Sequence, residues 1–273
     1  MKNAKALFTL SSAESKRLIA KAVVQMEEVK TALAEGMIII GAGTTNAFVL
    51  EELTGQSIDK ARYTAGIIAA GRQCVTALED RLAPVVLAKG KLSPLSWEEA
   101  SEKMTAADVF IKGGNAIDGN GIVGVQMAHP EGGTIGKALP IIVARGAKLI
   151  LPVGLEKLIP DVMLAADVAG SQTFDLSIGM RVGLMPVTYG QAMTEIDALE
   201  ELAEVEATCI SAGGIDGSEG SVTLVVEGQR KELEKVFALV KSIKGERPVA
   251  SAKQRCSQCA NPCDYPGGSS GKK

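Results

Sequence analysis

The chain has 273 residues, a net charge of −3 and a pI near 5.5, with 46% apolar but only 3% aromatic residues. There is no basic stripe with interleaved aromatics and no apolar run of bilayer length, so nucleic-acid binding and a membrane span are not expected. The apolar run Ala6–Leu10 is too short for a signal-peptide core, which points to a cytoplasmic protein. With so few aromatics the core must be built from Ala, Val, Ile, Leu and Met, which suits close helix-on-sheet packing.

In chain order, Ser11 and Glu14 form a capping box, and Leu18, Ala22, Met26, Val29 and Leu33 follow at helical spacing until Gly36. The spacing predicts one helix. Met37-Ile38-Ile39-Ile40 is a wholly apolar run, read as a buried parallel strand. It enters Gly41-Ala42-Gly43-Thr44-Thr45 and then a helix carrying Phe48, Val49 and Leu53. The unit recurs: Ser96 and Glu99 cap a helix to about Met104, Asp108–Ile111 is a strand, and a Gly-rich loop runs to Gly133. A helix over 134–145 should kink or restart at Pro140. Lys148–Val153 is the next strand. Strands alternating with helices predict an α/β fold with a doubly wound, mainly parallel, Rossmann-like sheet.

From about Gly183 the pattern changes. Leu184–Thr188, a helix over Gln191–Val205, the strands Glu206–Ser211 and Ser221–Val226, and an amphipathic helix Arg230–Ile243 give the order β-α-β-β-α of a small ferredoxin-like α+β domain. The expected division is 1–183 for the ligand-binding domain, 184–247 for the small domain and 248–273 for a polar, Cys-containing tail. That tail ends in a disordered stretch, Gly267–Lys273.

Three loops are candidates for chemistry. Gly41, Gly43, Thr44 and Thr45 lie at a strand-to-helix turn. Glycine there lets backbone approach an anion, and the helix start offers unpaired N–H groups. The same residues also read as a tight, threonine-capped turn. Lys112, Gly113, Gly114, Asn115 and Asp118 should lie at a strand's carboxyl end, where open α/β sheets bind ligands. There Lys112 would pair with an anion, Asn115 would position it, and Asp118 would be either a reactive acid or a backbone cap. His129, Glu131, Gly132, Gly133 and Thr134 combine the chain's one histidine with a nearby acid, read either as an acid–base pair or as a solvated loop.

Five cysteines form an odd set, which argues against a disulfide framework. Cys74 and Cys209 sit in apolar stretches and read as inert core residues. Cys256-x-x-Cys259-x-x-x-Cys263 offers three thiolates for zinc or for part of an iron–sulfur cluster. A fourth ligand would come from Asp264, His129 or a second chain. Without metal, the cysteines read as a redox-active or idle motif.

As an ordered set these motifs resemble the ribose-5-phosphate isomerase, glucosamine-6-phosphate deaminase and CoA-transferase-like superfamily. The matching pieces are the strand-Gly41-Ala42-Gly43-Thr44-Thr45-helix turn, the run from Asp108 to Asp118, the Lys148–Lys157 strand and turn, and Met185-Pro186-Val187. Together they span about two-thirds of the chain. Gly114 to Gly121 is also similar to a loop of methylthioribose-1-phosphate isomerase and of related translation-factor regulatory subunits. The resemblance implies the fold and the ligand location. It also carries a departure: the isomerase loop reads Asp-Gly-Ala-Asp-Glu, and Lys112, Asn115 and Ala116 stand in place of its acids. Ordinary pentose-phosphate isomerisation is therefore not expected, since a proton cannot be moved between sugar carbons without a base. What is expected is an enzyme acting on a small phosphorylated or carboxylated metabolite, or a non-catalytic binding protein that keeps the pocket. The many small residues are compatible with a homodimer.

Overall fold

The computed structural model describes residues 4–259, 261 and 263–265. The expected tail Gly267–Lys273 lies outside the described residues. The chain opens with β1 (Ala4–Leu10) and α1 (Ser12–Val23), whose Ser11–Glu14 capping box is formed. The single helix expected up to Gly36 is in fact two. Gln25 and Met26 donate tightly wound bonds to Ala22 and Val23, the backbone turns extended at Met26, and α2 (Glu27–Glu35) restarts. Leu18, Ala22, Met26 and Val29 stay buried on both sides of the break. The apolar period therefore runs through a break that it does not reveal.

Next come β2 (Met37–Ile40), α3 (Thr44–Thr54), a hairpin of β3 (Gly66–Ala69) and β4 (Arg72–Val75), then β5 (Val85–Ala88) and β6 (Lys91–Leu92). Helix α4 (Trp97–Ser101) starts at the Ser96–Glu99 capping box and precedes β7 (Val109–Ile111), β8 (Ala116–Ile117) and β9 (Val123–Met127). Helix α5 (Gly133–Arg145) runs across Pro140 without the expected restart. The carbonyl four residues earlier belongs to Gly136, so no side chain adds to the crowding there. Then follow β10 (Lys148–Pro152), α6 (Val162–Val168), β11 (Gly183–Val187), β12 (Gln191–Met193), α7 (Glu195–Leu202), β13 (Val205–Ala212), β14 (Val222–Gly228) and α8 (Arg230–Ile243).

The central sheet has six strands in the order β12-β10-β7-β2-β5-β6. The pairings among β12, β10, β7 and β2 are parallel; β5 and β6 join antiparallel. The result is an α/β fold on a mixed sheet. Alternation along each strand feeds two cores. Ile38, Ile40, Val109, Ile111 and Ile150 face one core, shared with α1, α3, α7 and α8. Ile39, Phe110, Leu149 and Leu151 face the other, shared with α4, α5 and the sheet β11-β9-β8.

The C-terminal third differs from the expected β-α-β-β-α order. β11 pairs with β9, outside the hairpin's sheet. The segment expected to be helical from Gln191 is instead the edge strand β12, and the helix begins after it, because Thr194 and Asp197 form a third capping box. The hairpin β13–β14 takes its remaining partner from the N-terminus, giving the order β1-β14-β13. Phe8 and Leu10 share one core with Leu224, Val226 and Val240 as well as with Ile38 and Val109. Among the described residues, no helix is long and apolar enough to cross a membrane.

Candidate functional site

From β2 the chain moves to β5 and β6 on one side of it, then returns to β7 on the other. The strands β2, β7, β10 and β12 run parallel, which brings their carboxyl ends to one edge of the sheet. Four parallel strands end there. Their edges are tied by Gly41 N–H to Ile111 O (2.9 Å), Lys112 N–H to Ile150 O (2.9 Å) and Val153 N–H to Met193 O (3.0 Å).

At Gly41, a Cβ would stand 3.2 Å from Lys112 Cδ, so this glycine makes room for the stem of Lys112. Gly43 spends its N–H on Tyr63 O (2.8 Å), and the Tyr63 hydroxyl donates to Ile40 O (2.6 Å) while accepting Val85 N–H (3.1 Å). Burial pushes the Tyr63 phenol pKa up, so it stays a neutral clamp on the end of β2. No side chain caps the first turn of α3, where Thr44 is part-buried and Thr45 buried. Asn46 is fully buried and donates to Gly41 O (2.8 Å) and Ile111 O (3.2 Å), stitching the two strand ends together.

The lysines dominate the electrostatics. Lys112 Nζ donates to Gly113 O (3.1 Å), and Lys157 Nζ, from the loop after β10, donates to Gly114 O (2.8 Å). Each residue keeps some accessible surface while its ammonium is densely surrounded by protein atoms. Burial draws the Lys112 pKa down to about 8. Lys157 is also drawn to about 8, first by burial and then by the positive charges of Lys16 and Lys112, against the pull of Glu156 and Glu195. Lys16, on α1, is paired with Glu156 at 2.6 Å. Glu195, on the first turn of α7, accepts Leu155 N–H (2.8 Å) and is fully buried, and burial holds its pKa above the usual carboxylate range. Ser15, on α1, sits within hydrogen-bond reach of the Glu195 carboxyl, whereas Thr45 Oγ1 and Asn46 Oδ1, both buried on α3, lack a protein partner among the described residues.

The other sequence candidates are placed differently. Gly114 has no room for a Cβ against Val123, and Gly113 lies beside Asn46. Asn115 is exposed; its Oδ1 accepts Gln126 N–H (3.0 Å), tying the turn to β9. Asp118 is sealed by its neighbours but lies close to the surface, and its carboxylate accepts N–H groups from Val162, Asn120 and Ile122. These bonds, that from Val162 foremost, hold its pKa below the usual value. An acid so committed to backbone caps a turn and fixes the start of α6. His129 and Glu131 are exposed: His129 Nδ1 accepts Glu131 N–H (3.2 Å), and Glu131 pairs with Lys137 (3.3 Å). Gly132 and Gly133 take left-handed backbone (φ +78° and +58°) leading into α5, with Thr134 on its first turn. Among the described residues, no hydrogen bond or ion pair joins 129–134 to Lys112, Lys157 or the 41–46 turn.

A separate cleft of about 690 Å³ is lined by Arg17, Lys21, Glu52, Lys60, Glu246 and neighbours. It contains none of the sequence candidates, and Arg17 there is already satisfied by three glutamates. No family model, curated protein or solved structure matches this chain.

The sequence reading missed Lys157, Glu195, Asn46, Lys16 and Tyr63. Two of these had a local signal: Thr194-x-x-Asp197 is a capping box that sets Glu195 on a first helical turn, and Asn46 is the polar residue directly before the apolar run Ala47–Leu50.

Proposed function

We propose that this chain is a small-molecule enzyme whose substrate carries a phosphate or carboxylate, bound where β2, β7, β10 and β12 end. Lys112 and Lys157 would face the anion or the reacting carbon, the uncapped start of α3 would supply N–H donors, and Glu195 would serve as an acid. The observation that carries this reading is the pair of densely surrounded ammonium groups with no carboxylate ion pair among the described residues, beside orphaned polar atoms. Burying such a charge costs several kcal/mol, which packing alone would avoid by using an apolar residue, whereas a bound anion would offset it. An amine with a pKa near 8 is also neutral in roughly a tenth of molecules at neutral pH, enough to take a proton or attack a carbonyl. The reading agrees with the isomerase, deaminase and CoA-transferase-like superfamily that the motif order resembles, with a lysine amine where that loop has acids.

The commitment of Asp118 to three backbone N–H groups supports a second reading, a binding or regulatory protein without turnover. One experiment addresses both. Thermal shifts are recorded with inorganic phosphate, sugar phosphates and CoA thioesters, for the native chain and Lys112→Met. Stabilisation of about 2.7 kcal/mol is expected near a hundred times the dissociation constant, and should vanish in the variant. No response to any anion, or an unchanged response in Lys112→Met, would sink the site. Binding without turnover would leave the second reading.

A further inference from the structure

The tail cysteines are one ligand short of a closed site in the sequence, and Cys74 is read there as core. The structure corrects this: Cys74 stands on β4, and neither β3 nor β4 contributes to either hydrophobic core. The tail lies along this hairpin. Lys253 bridges Thr76, and Gln254 N–H donates to Val75 O (2.9 Å). The segment before β11 closes a third side: Met180 N–H donates to Gln73 O (2.9 Å), Asp264 N–H to Ser177 O (2.8 Å), and Ser177 N–H to the Asp264 carboxylate (2.7 Å). These three segments enclose a small pocket whose walls include Cys74, Cys256, Cys259 and Cys263, with Arg72 and Lys253 beside them.

We infer that Cys74, Cys256, Cys259 and Cys263 together bind a thiophilic metal centre, a zinc ion or an iron–sulfur cluster, and that this centre fastens the tail to the β3–β4 hairpin. Four thiolates complete the ligand set for either centre. Their surroundings suit negative sulfur. Gly179 N–H donates to Cys263 Sγ (3.0 Å), Lys253 Nζ to Cys256 Sγ (3.3 Å) and Asn261 Nδ2 to Cys259 Sγ (3.5 Å). The Arg72 guanidinium lies beside Cys74 and Cys256 and packs over the Tyr265 ring at 3.7 Å. Such outer donors hold and tune thiolate ligands; inert core thiols have no use for them. The segments also need order from somewhere. An isolated two-stranded hairpin is marginal in water, and Ile68, Leu176 and Ile178 point outward. Metal–thiolate bonds would supply that order as folding free energy, with the thiol protons released to solvent. Among the described residues no three ligand-type side chains are already at coordinating distance, so loading draws the thiols inward from the pocket wall. Asp264, spent on Ser177, and the exposed His129 are not needed.

The test uses the full chain, reduced and stripped of metal under anaerobic conditions, then loaded in two arms: zinc ion alone, and ferrous with ferric iron and sulfide. One arm is expected to give close to one centre per chain, read by metal analysis and, for iron, by visible absorption. Cys74→Ser should lower metal content more than about tenfold, as should Cys259→Ser, while Cys209→Ser leaves it unchanged. In the native chain, loading should protect Cys74 from alkylation together with the three tail cysteines, a readout that needs no variant to fold. Failure of both arms would overturn the inference. So would native metal content in Cys74→Ser, a Cys74 equally reactive with and without metal, or a disulfide among the four in place of metal. Loss of anion binding at Lys112 would leave it untouched.

Discussion

Lys157, after β10, places its ammonium 2.8 Å from the carbonyl of Gly114, after β7, and so spans the ends of two adjacent parallel strands. Lys112 donates to the preceding carbonyl, Gly113, within its own loop after β7. The strand ends thus carry two amines that burial makes easy to deprotonate.

The first prediction concerns their cost. A lysine whose folded pKa is drawn to about 8 from an unfolded value of about 10.4 penalises the fold fully below the lower value, and the penalty fades as pH rises to the higher. Lys112→Met should therefore raise unfolding free energy at neutral pH, with a ceiling of about 3 kcal/mol. Lost contacts of the lysine stem would trim the gain. Urea titrations across this range should show the advantage shrinking as pH climbs. A variant that is less stable at every pH would refute the reading.

Anion affinity should follow the same titration. Sulfate keeps its charge across this range, so any change in its binding reports on the protein. Calorimetry should show sulfate binding weakening as pH rises through about 8, where Lys112 and Lys157 lose their protons. Lys112→Met should flatten the profile. Binding that is level from neutrality to well above the folded pKa would mean that neither ammonium touches the anion.

Glu195 supplies an opposite sign. Its folded pKa is raised by burial, so well below its unfolded value, about 4.3, both states are protonated and nothing is lost. As pH rises from there through the folded value, the unfolded chain ionises first and stability falls. Glu195→Gln keeps an oxygen for Leu155 N–H and removes that penalty. It should melt higher than the native chain at neutral pH, by roughly 2–4 °C per kcal/mol recovered. The difference should close below about pH 4, and calorimetric scans at both ends would decide. A variant that melts lower at neutral pH would mean that the Glu195 charge is paired and stabilising.

Much of this arrangement is legible in the residues, and the gaps have physical causes. The apolar triplet Ile38-Ile39-Ile40 and the Gly41 turn announce a buried strand entering a helix, and the Ser11 and Ser96 capping boxes mark their helices directly. The break after Val23 left no mark, because the burial stripe continues across it. The partner of the β13–β14 hairpin was missed because β1 lies more than two hundred residues away from β14, and pairing at that distance has no local period. The same holds for the sites. Glycine and lysine after β2 and β7 are visible as a motif, whereas Glu195 and Lys157 join them only through the parallel order of β10 and β12. Cys74 reads as core from its neighbours alone; only the tail lying across β4 shows its company.

The last prediction tests the scaffold behind the site. Arg17, on the face of α1 away from Lys16, donates Nη2 to Glu51 (2.6 Å), Nη1 to Glu52 (2.9 Å) and Nε to Glu246 (2.7 Å), and its guanidinium packs 4.7 Å from the Phe48 ring. It thereby ties α1 to α3 and to the chain leaving α8. Burial alone would lower its pKa, and the carboxylates of Glu246, Glu51 and Glu52 more than reverse that. Burial would likewise raise the Glu51 pKa, but Lys60, the Ile58 N–H and Arg17 hold it below the ordinary value. A carboxyl with a lowered folded pKa adds stability above its unfolded value and loses it as pH falls through the folded one. Arg17→Met removes the shared cation and leaves part-buried carboxylates under-paired, which should cost about 2–4 kcal/mol at neutral pH. In acid, as pH falls through the lowered folded pKa of Glu51, that carboxyl is protonated in the native chain too, and the gap between native chain and variant should narrow toward the lost packing on Phe48. Denaturant midpoints at neutral and at acid pH measure this. An equal gap at both would show that Arg17 acts through packing alone, and no gap at neutral pH would show that Lys21 and Lys60 suffice for the cluster.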